Sequence, residues 1–461
     1  MQNELMHLAK EHFVAGASTE LRMQRNRTRR ATMLKGNLVN NVRSESKGLC
    51  ARVYKDGMYG FASSTDLSKE AIVSTINAAS DNAAFLSKRA KKDSKGLAAI
   101  DKGSRPADGE MKDLPQQVYI DFMKELDSLI EKRYDKLLSR TIVVSCDSQE
   151  KIIQTSDGYS ASIVAPRGYV YIFLSAEGKD GKPVELFCTS GSGGTFDVNF
   201  DEPANLIPQL DELYEHLIKK TEGVYAKAGK KTCILSSELA GMLAHEAVGH
   251  TVEADLVLAG SVASKLLNQQ VASPLVSLVD FAHTAFGKKV PLPVYVDDEG
   301  TLAKDCVLIE NGMLRSYMTN RELANVFNIQ PMGNARAWAF NDEPIVRMRN
   351  TFILPGESSL EEMISSIDDG YYLLTSGNGQ ADTTGEFMFG ITCGYEIKNG
   401  KIGRAIADTT VSGVAFEMLK TVSMVGNNVQ MFSSGFCGKK QMMSVSLGGP
   451  AIKCEINIGG R

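Results

Sequence analysis

No C-x-x-C pair occurs among the eight cysteines (Cys50, Cys146, Cys188, Cys233, Cys306, Cys393, Cys437 and Cys454). That excludes a zinc ribbon and a thioredoxin-type redox motif, and scattered free thiols fit a reducing cytoplasm. No stretch approaches the roughly 18 consecutive apolar residues of a membrane span. The N-terminus mixes acids, bases and apolar residues within a dozen positions, so it lacks the pattern of a secretory signal. Neither sign of charge dominates: 51 Lys and Arg face 55 Asp and Glu, a net charge of −4. The chain therefore carries no electrostatic footprint for direct nucleic-acid binding. Histidine is scarce, with six residues in 461, which makes any two that stand close together worth a physical test.

What is present reads as a soluble globular protein, with 43% hydrophobic and 23% charged residues. At about 150 residues per domain, the length suggests two or three domains. We expect an α+β architecture: an N-terminal α/β domain over residues 1–229, interrupted by a charged connection at about 88–113, and a largely antiparallel β-rich domain over 230–461. Helices are predicted to about Ala15, over Lys69–Arg89, over Val118–Leu138 and over Leu206–Ala226. Strands are predicted around Glu20–Gln24, Cys50–Tyr54, Thr141–Ser145, Lys151–Thr155, Gly168–Leu174 and Val184–Cys188. Hairpin signals fall at Asp56-Gly57, Asp157-Gly158 and Asp180-Gly181. Ser190-Gly-Ser-Gly-Gly-Thr195 lacks the Lys-Ser/Thr of a phosphate loop and reads as a plain loop. In the C-terminal half, Asn311-Gly312 and Asn399-Gly400 mark further hairpins, and Ile452–Ile458 alternates as a half-buried strand. The 41 glycines concentrate after residue 370, where tight turns or close backbone approach are needed.

His7, His12 and His216 sit in amphipathic helices and His283 in an irregular segment, all consistent with surface positions. The remaining two form His245-Glu246-Ala-Val-Gly-His250. In the zinc-protease string H-E-x-x-H, ligands four apart share one helical face and Glu serves as general base. Here the histidines are five apart and diverge by about 140° on a regular helix, instead of about 40°. Both reach one metal only if the helix ends, bulges or kinks between them, and Gly249 stands where a break is cheapest. The helix begins at the N-cap residues Ser236-Ser237 with Glu238 in its first turn, and Leu239, Met242, Leu243 and Ala247 mark its apolar face. A carboxylate and an imidazole on that face need a partner or a metal, because their burial alone costs several kcal/mol. A hydrolytic metal needs a third protein ligand. Glu253, Asp255 and the distant Cys437, flanked by glycines, are candidates, while Cys454 reads as a core thiol.

Several segments in order resemble the TldD/PmbA family of zinc-dependent peptidases, also called modulators of DNA gyrase. They are Met242-Leu-Ala-His-Glu-Ala-Val-Gly-His-Thr-Val-Glu-Ala-Asp255, Val296-Asp-Asp-Glu-Gly-Thr301, Val307-Leu-Ile-Glu-Asn-Gly-Met-Leu314, Arg347-Met-Arg-Asn-Thr-Phe-Ile-Leu-Pro-Gly356, Ser423-Met-Val-Gly-Asn-Asn428 and Phe436-Cys-Gly-Lys439. The resemblance implies Zn2+ held by His245, His250 and Cys437, with Glu246 as general base for peptide-bond hydrolysis. It also implies a homodimer, or a heterodimer with a PmbA-type paralogue lacking the histidine string, so that this chain is the catalytic member. The family's C-G-K-x-G-Q segment is shortened here to Cys437-Gly-Lys-Lys-Gln441. The glycine-rich stretches Gly377–Gly394 and Gly435–Gly449 either receive an extended peptide by strand addition or form tight sheet turns. A non-catalytic regulatory or scaffold subunit is the alternative, and a thiol hydrolase using Cys437 a third.

Overall fold

Two-residue turns with positive φ set the first sheet. Lys35 and Gly36 (φ 46° and 76°) join β1 (Ser18–Leu34) to β2 (Asn37–Lys55), and Asp56 and Gly57 (φ 48° and 84°) join β2 to β3 (Met58–Ser64). Such turns match the right-handed twist of the strands they connect. The computed structural model describes Met6 and residues 9–89, 94–108 and 111–459, apart from the side chains of Asn378 and Ser434.

The sheet continues through β5 (Leu137–Thr155), β6 (Tyr159–Glu177) and β7 (Pro183–Gly193), in the order β3-β2-β1-β5-β6, with β7 and the short β4 (Gly103–Arg105) both on β6. Three helices cover it: α1 (Lys69–Ser87), α2 (Gln116–Arg133) and α3 (Ile207–Thr221). Ser68 caps α1 by accepting from the Ala71 amide at 3.1 Å, and Ile72, Ile76, Ala79 and Ala83 pack on Leu21, Leu49 and Val53. Among its described residues the charged connection is irregular apart from β4. The predicted N-terminal helix falls partly on residues outside those described; what is described is a 3-10 turn at Ala9–His12.

Two strand expectations need correcting. Thr141–Ser145 and Lys151–Thr155, expected as two strands, belong to one, β5, which runs unbroken through its polar middle. Ser190–Gly193, expected in a loop, is the end of β7 and pairs with Arg167–Val170 of β6. A Cβ on Gly191 would lie 2.0 Å from the Gly168 carbonyl oxygen, so the glycine permits that pairing.

In the C-terminal half, β8 (Gly229–Leu235) leads into helix α4 (Ser237–Leu243). One sheet there contains β9 (Leu278–Phe281), β10 (Cys306–Glu310), β11 (Met313–Leu314), β12 (Asn350–Ile353), β17 (Gln430–Lys439) and β18 (Gln441–Gly449), in the order β11-β10-β9-β12-β18-β17. The other contains β8, β13 (Asp369–Ala381), β14 (Glu386–Lys398), β15 (Lys401–Ala405), β16 (Thr409–Val414) and β19 (Ile452–Ile458). Its order is β13-β8-β19-β16-β14-β15, and β13 also pairs with β14, closing a circuit of five strands. The architecture is α+β with largely antiparallel sheets. Among the described residues no helix is long and apolar enough to cross a membrane.

The face of the first sheet turned toward the C-terminal half is polar and buried. Arg52 pairs with Glu20 and Glu299, Lys151 holds Asp298 at 2.8 Å, and Gln24, Asn26 and Gln149 all donate to the Trp338 carbonyl. Each charge is matched across the contact, which is what makes its burial tolerable.

Candidate metal centre

Helix α4 rests directly on the backbone of β18. A Cβ on Gly241 would meet the Gly448 nitrogen at 2.5 Å, and one on Gly448 would meet the Gln430 carbonyl oxygen at 2.3 Å. Ser236 caps the helix, accepting from the Leu239 amide at 3.2 Å and donating to the Leu374 carbonyl at 2.5 Å. The irregularity expected between His245 and His250 takes a definite form: Ala244–Gly249 is a π-helical turn, followed by a 3-10 turn at His250–Val252. In a π turn the hydrogen bonds run i→i+5, so residues five apart stack. That is the His245–His250 spacing. Gly249 closes the turn beneath Met348, whose sulfur would lie 2.0 Å from a Cβ there.

The two imidazole rings meet edge to face with centroids 5.3 Å apart. Across from them, Cys437 projects from edge strand β17, in register with Met443 of β18. Its sulfur lies 3.1 Å from His250 Nε2. Among the described residues, His245, His250 and Cys437 form a group whose donor atoms all lie within 4.8 Å of one another. His245 is 1% exposed, and neither ring nitrogen has a hydrogen-bond partner. Burial, with His250 and Arg347 nearby, holds its pKa well below the usual histidine range, so the ring is neutral and offers a lone pair. His250 is different. Burial lowers its pKa, but Cys437 and Glu253 outweigh that and raise it to about 10. His250 Nε2 and the Cys437 sulfur thus face each other at a distance that a shared proton or a metal ion can bridge.

Of the other two ligand candidates, Glu253 accepts from the opposite nitrogen, His250 Nδ1, at 2.8 Å. Fully buried, it also meets Lys439 Nζ at 3.1 Å. Asp255 is engaged by the same Lys439, at 3.0 Å to both oxygens. Glu246 sits 3.7 Å from His250 Nε2 and is 27% exposed, on the open side of the group. Burial raises its carboxyl pKa above the usual range, partly opposed by His250.

Sequence reasoning missed two supporting residues. Arg347, fully buried, donates to the Cys437 carbonyl at 2.7 Å and the Gln441 carbonyl at 2.8 Å. Lys439 ties Glu253 and Asp255 to the Val346 carbonyl. Both lie in segments that carry the family resemblance, yet their partners become neighbours only through the sheet. The shortened segment after Cys437 is a one-residue turn at Lys440, which takes φ 57° where a glycine would be easiest. His216, expected at the surface, is half-buried with its Nδ1 2.5 Å from the Tyr395 hydroxyl.

Comparison with known proteins identifies the family. Residues 228–460 match the PmbA/TldA metallopeptidase C-terminal domain, and residues 19–83 match PmbA/TldA metallopeptidase domain 1. A metalloprotease of Methanothermobacter thermautotrophicus is 31% identical over 96% of this chain and 95% of its own length. A zinc metalloprotease TldD homolog of Saccharolobus solfataricus is 34% identical over 71% of this chain and 70% of its own. In fold, TldE from Thermococcus kodakarensis superposes with a TM-score of 0.76 over 99% of both chains at 18% identity. The chain belongs to the PmbA/TldD metallopeptidase family.

Proposed function

We propose that this chain is a zinc-dependent peptidase in which His245, His250 and Cys437 hold Zn2+ and Glu246 is the general base. The observation that carries this reading is the His245 imidazole, buried with both nitrogens unpartnered beside a second imidazole and a thiol. A buried polar ring without a partner is costly, and a metal ion supplies one. Two imidazoles and a thiolate are a donor set suited to zinc, and three protein ligands leave room for a substrate.

Zinc at such a site supplies Lewis-acid polarisation of a carbonyl and lowers the pKa of water. The Glu246 carboxylate takes a proton from the attacking water and passes it to the leaving amine nitrogen. Its raised pKa brings it closer to the working pH of a general base. Glu253 holds His250 Nδ1–H, fixing the ring with Nε2 toward Cys437. The substrates we envisage are extended or unstructured peptides, lying against the glycine-rich strands. The setting is a cytoplasmic homodimer, or a heterodimer with a PmbA-type paralogue, with the chain dividing into domains near residue 229.

The test is elemental analysis of purified wild type, His245→Ala and Cys437→Ser, alongside peptide hydrolysis by Glu246→Gln. About one zinc per chain in the wild type, lost in both ligand variants, with hydrolysis lost in Glu246→Gln, is the expected result. A wild type that takes up no metal after zinc loading sinks the hydrolase and favours a regulatory or scaffold subunit. Hydrolysis that survives chelation points instead to a Cys437 nucleophile.

A further inference from the structure

A cavity of about 480 Å³ opens along the N-terminal end of the helix that carries the histidines. It falls within the usual range of ligand pockets, about 300–1,000 Å³. Glu238 and Met242 of α4 form one wall, and Phe432 and Gly435 of β17 form another. Met242 is one helical turn before Glu246, about 6 Å along the axis. Gly435 is two residues before Cys437 on the same face of its strand, about 7 Å away. The cavity therefore ends beside both elements that build the metal group.

Its charge is one-sided. Among the described residues no lysine or arginine lines it, whereas Glu238 and Glu212 both do. The one basic candidate, His216, already engages the Tyr395 hydroxyl and lies 3.6 Å from Glu212. No hydrogen bond or ion pair among the described residues reaches the Glu238 carboxyl group, although Ser236, Thr375 and Asn427 share the cavity with it. Burial without compensation pushes its pKa up to about 7. A half-buried carboxyl that lines a cavity with no lysine or arginine beside it suits the binding of a cationic group.

We infer that Glu238 is a specificity-determining residue, which receives a cationic group of the peptide substrate in this cavity. The inference rests on the peptidase reading. Glu238 lies eight residues before Glu246, about 12 Å along the helix. An extended peptide advances about 3.3 Å per residue. Allowing for the reach of a long side chain, the cation belongs to a residue about two to four positions from the cleaved bond. It is a lysine or arginine side chain, or the substrate's own terminal ammonium.

The test uses the full-length zinc-loaded chain and fluorescein-labelled octapeptides of alanine and serine. Each carries a single lysine, norleucine or glutamate at successive positions, with either a free or an acetylated N-terminus. Binding is read by anisotropy in the Glu246→Gln background and cleavage in the wild type. A charge-assisted hydrogen bond predicts lysine peptides binding about tenfold or more tighter than norleucine peptides. That ratio falls to about one in Glu238→Gln and inverts in Glu238→Lys, which then prefers a glutamate peptide. If acetylation alone abolishes the preference, the cation is the terminal ammonium. A ratio unchanged in both Glu238 variants, or no preference for either cation in the parent, overturns the inference. Selective binding without cleavage by the wild type defeats the peptidase reading and leaves Glu238 a peptide-binding residue only, whereas cleavage without cation preference overturns this inference and leaves the peptidase reading standing.

Discussion

His245 and His250 stand five residues apart, yet their rings touch edge to face at 5.3 Å because the turn between them is π-helical. A regular α-helix would point them to different sides. The wider turn aligns them, at the cost of an uncommon backbone that its surroundings must hold in place.

Gly249 is one of the groups that hold it. Gly249→Ala drives a methyl group into the Met348 sulfur and is expected to lose about 1–3 kcal/mol in urea denaturation, the usual range for overpacking. Because the neighbour is a flexible side chain, Gly249→Ala combined with Met348→Ala should lose less than the sum of the two single changes. Strict additivity would show that the backbone, and not this contact, sets the requirement for glycine.

Glu253 orients a ring without belonging to the donor group. Replacing it with glutamine keeps the size and removes the charge beside His250 Nδ1. Zinc affinity, measured by competition with a chelating dye, should fall about 10–100-fold. Unchanged affinity would leave Glu253 as a partner of Lys439 and nothing more.

Asp280 of β9 and Arg349, the residue before β12, form a wholly buried ion pair at 2.8 Å, and Asp280 also accepts from Asn334 and Thr351. Asp280→Ala strands the guanidinium and should lose about 3–5 kcal/mol, read from the urea midpoint. Asp280→Ala with Arg349→Met should be milder than the two losses added together. A single-variant loss under about 1 kcal/mol would show that the backbone carbonyls around Arg349 suffice.

Glu238 also predicts a pH dependence. Its folded pKa, about 7, lies above the ordinary 4.5, so the folded chain holds that proton more tightly than the unfolded one. Its contribution is full below about pH 4.5 and is lost as the pH rises through 7, an upper bound of about 3 kcal/mol. The stability of Glu238→Gln relative to wild type should therefore rise between pH 4.5 and 7.5. A difference that stays flat over this window would mean that the carboxyl group is well solvated in the cavity.

The break at Gly249 was legible because H-E-x-x-x-H makes sense as a metal string only if the helix is irregular. Residues 244–249 sit within one local segment, where spacing is a direct physical statement. Cys437 was not legible in that way. It lies 187 residues from His250 and arrives through the pairing of β17 with β18. Residue spacing left it level with Glu253 and Asp255, and the family resemblance singled it out. The continuity of β5 through its middle is hidden in the sequence for a related reason. Asp147, Gln149 and Lys151 interrupt the apolar alternation, but they are satisfied by Arg167, the Trp338 carbonyl and Asp298, two of them across the contact between the halves. Polarity signals a loop only where no distant partner exists. His216 was placed at the surface by its charged helical neighbours, while its ring bonds to Tyr395, 179 residues away.

The donor group also joins two stretches of chain that lie far apart in the sequence. An ion bound by His245, His250 and Cys437 would bolt the π turn to an edge strand, and by mass action would favour the folded state. At a thousandfold excess over its dissociation constant that amounts to about 4 kcal/mol. A chelator would then do more than stop turnover, because it would loosen the seam between helix and sheet. Thermal midpoint would become a gauge of metal supply, and a zinc-starved cell would lose the protein as well as its activity.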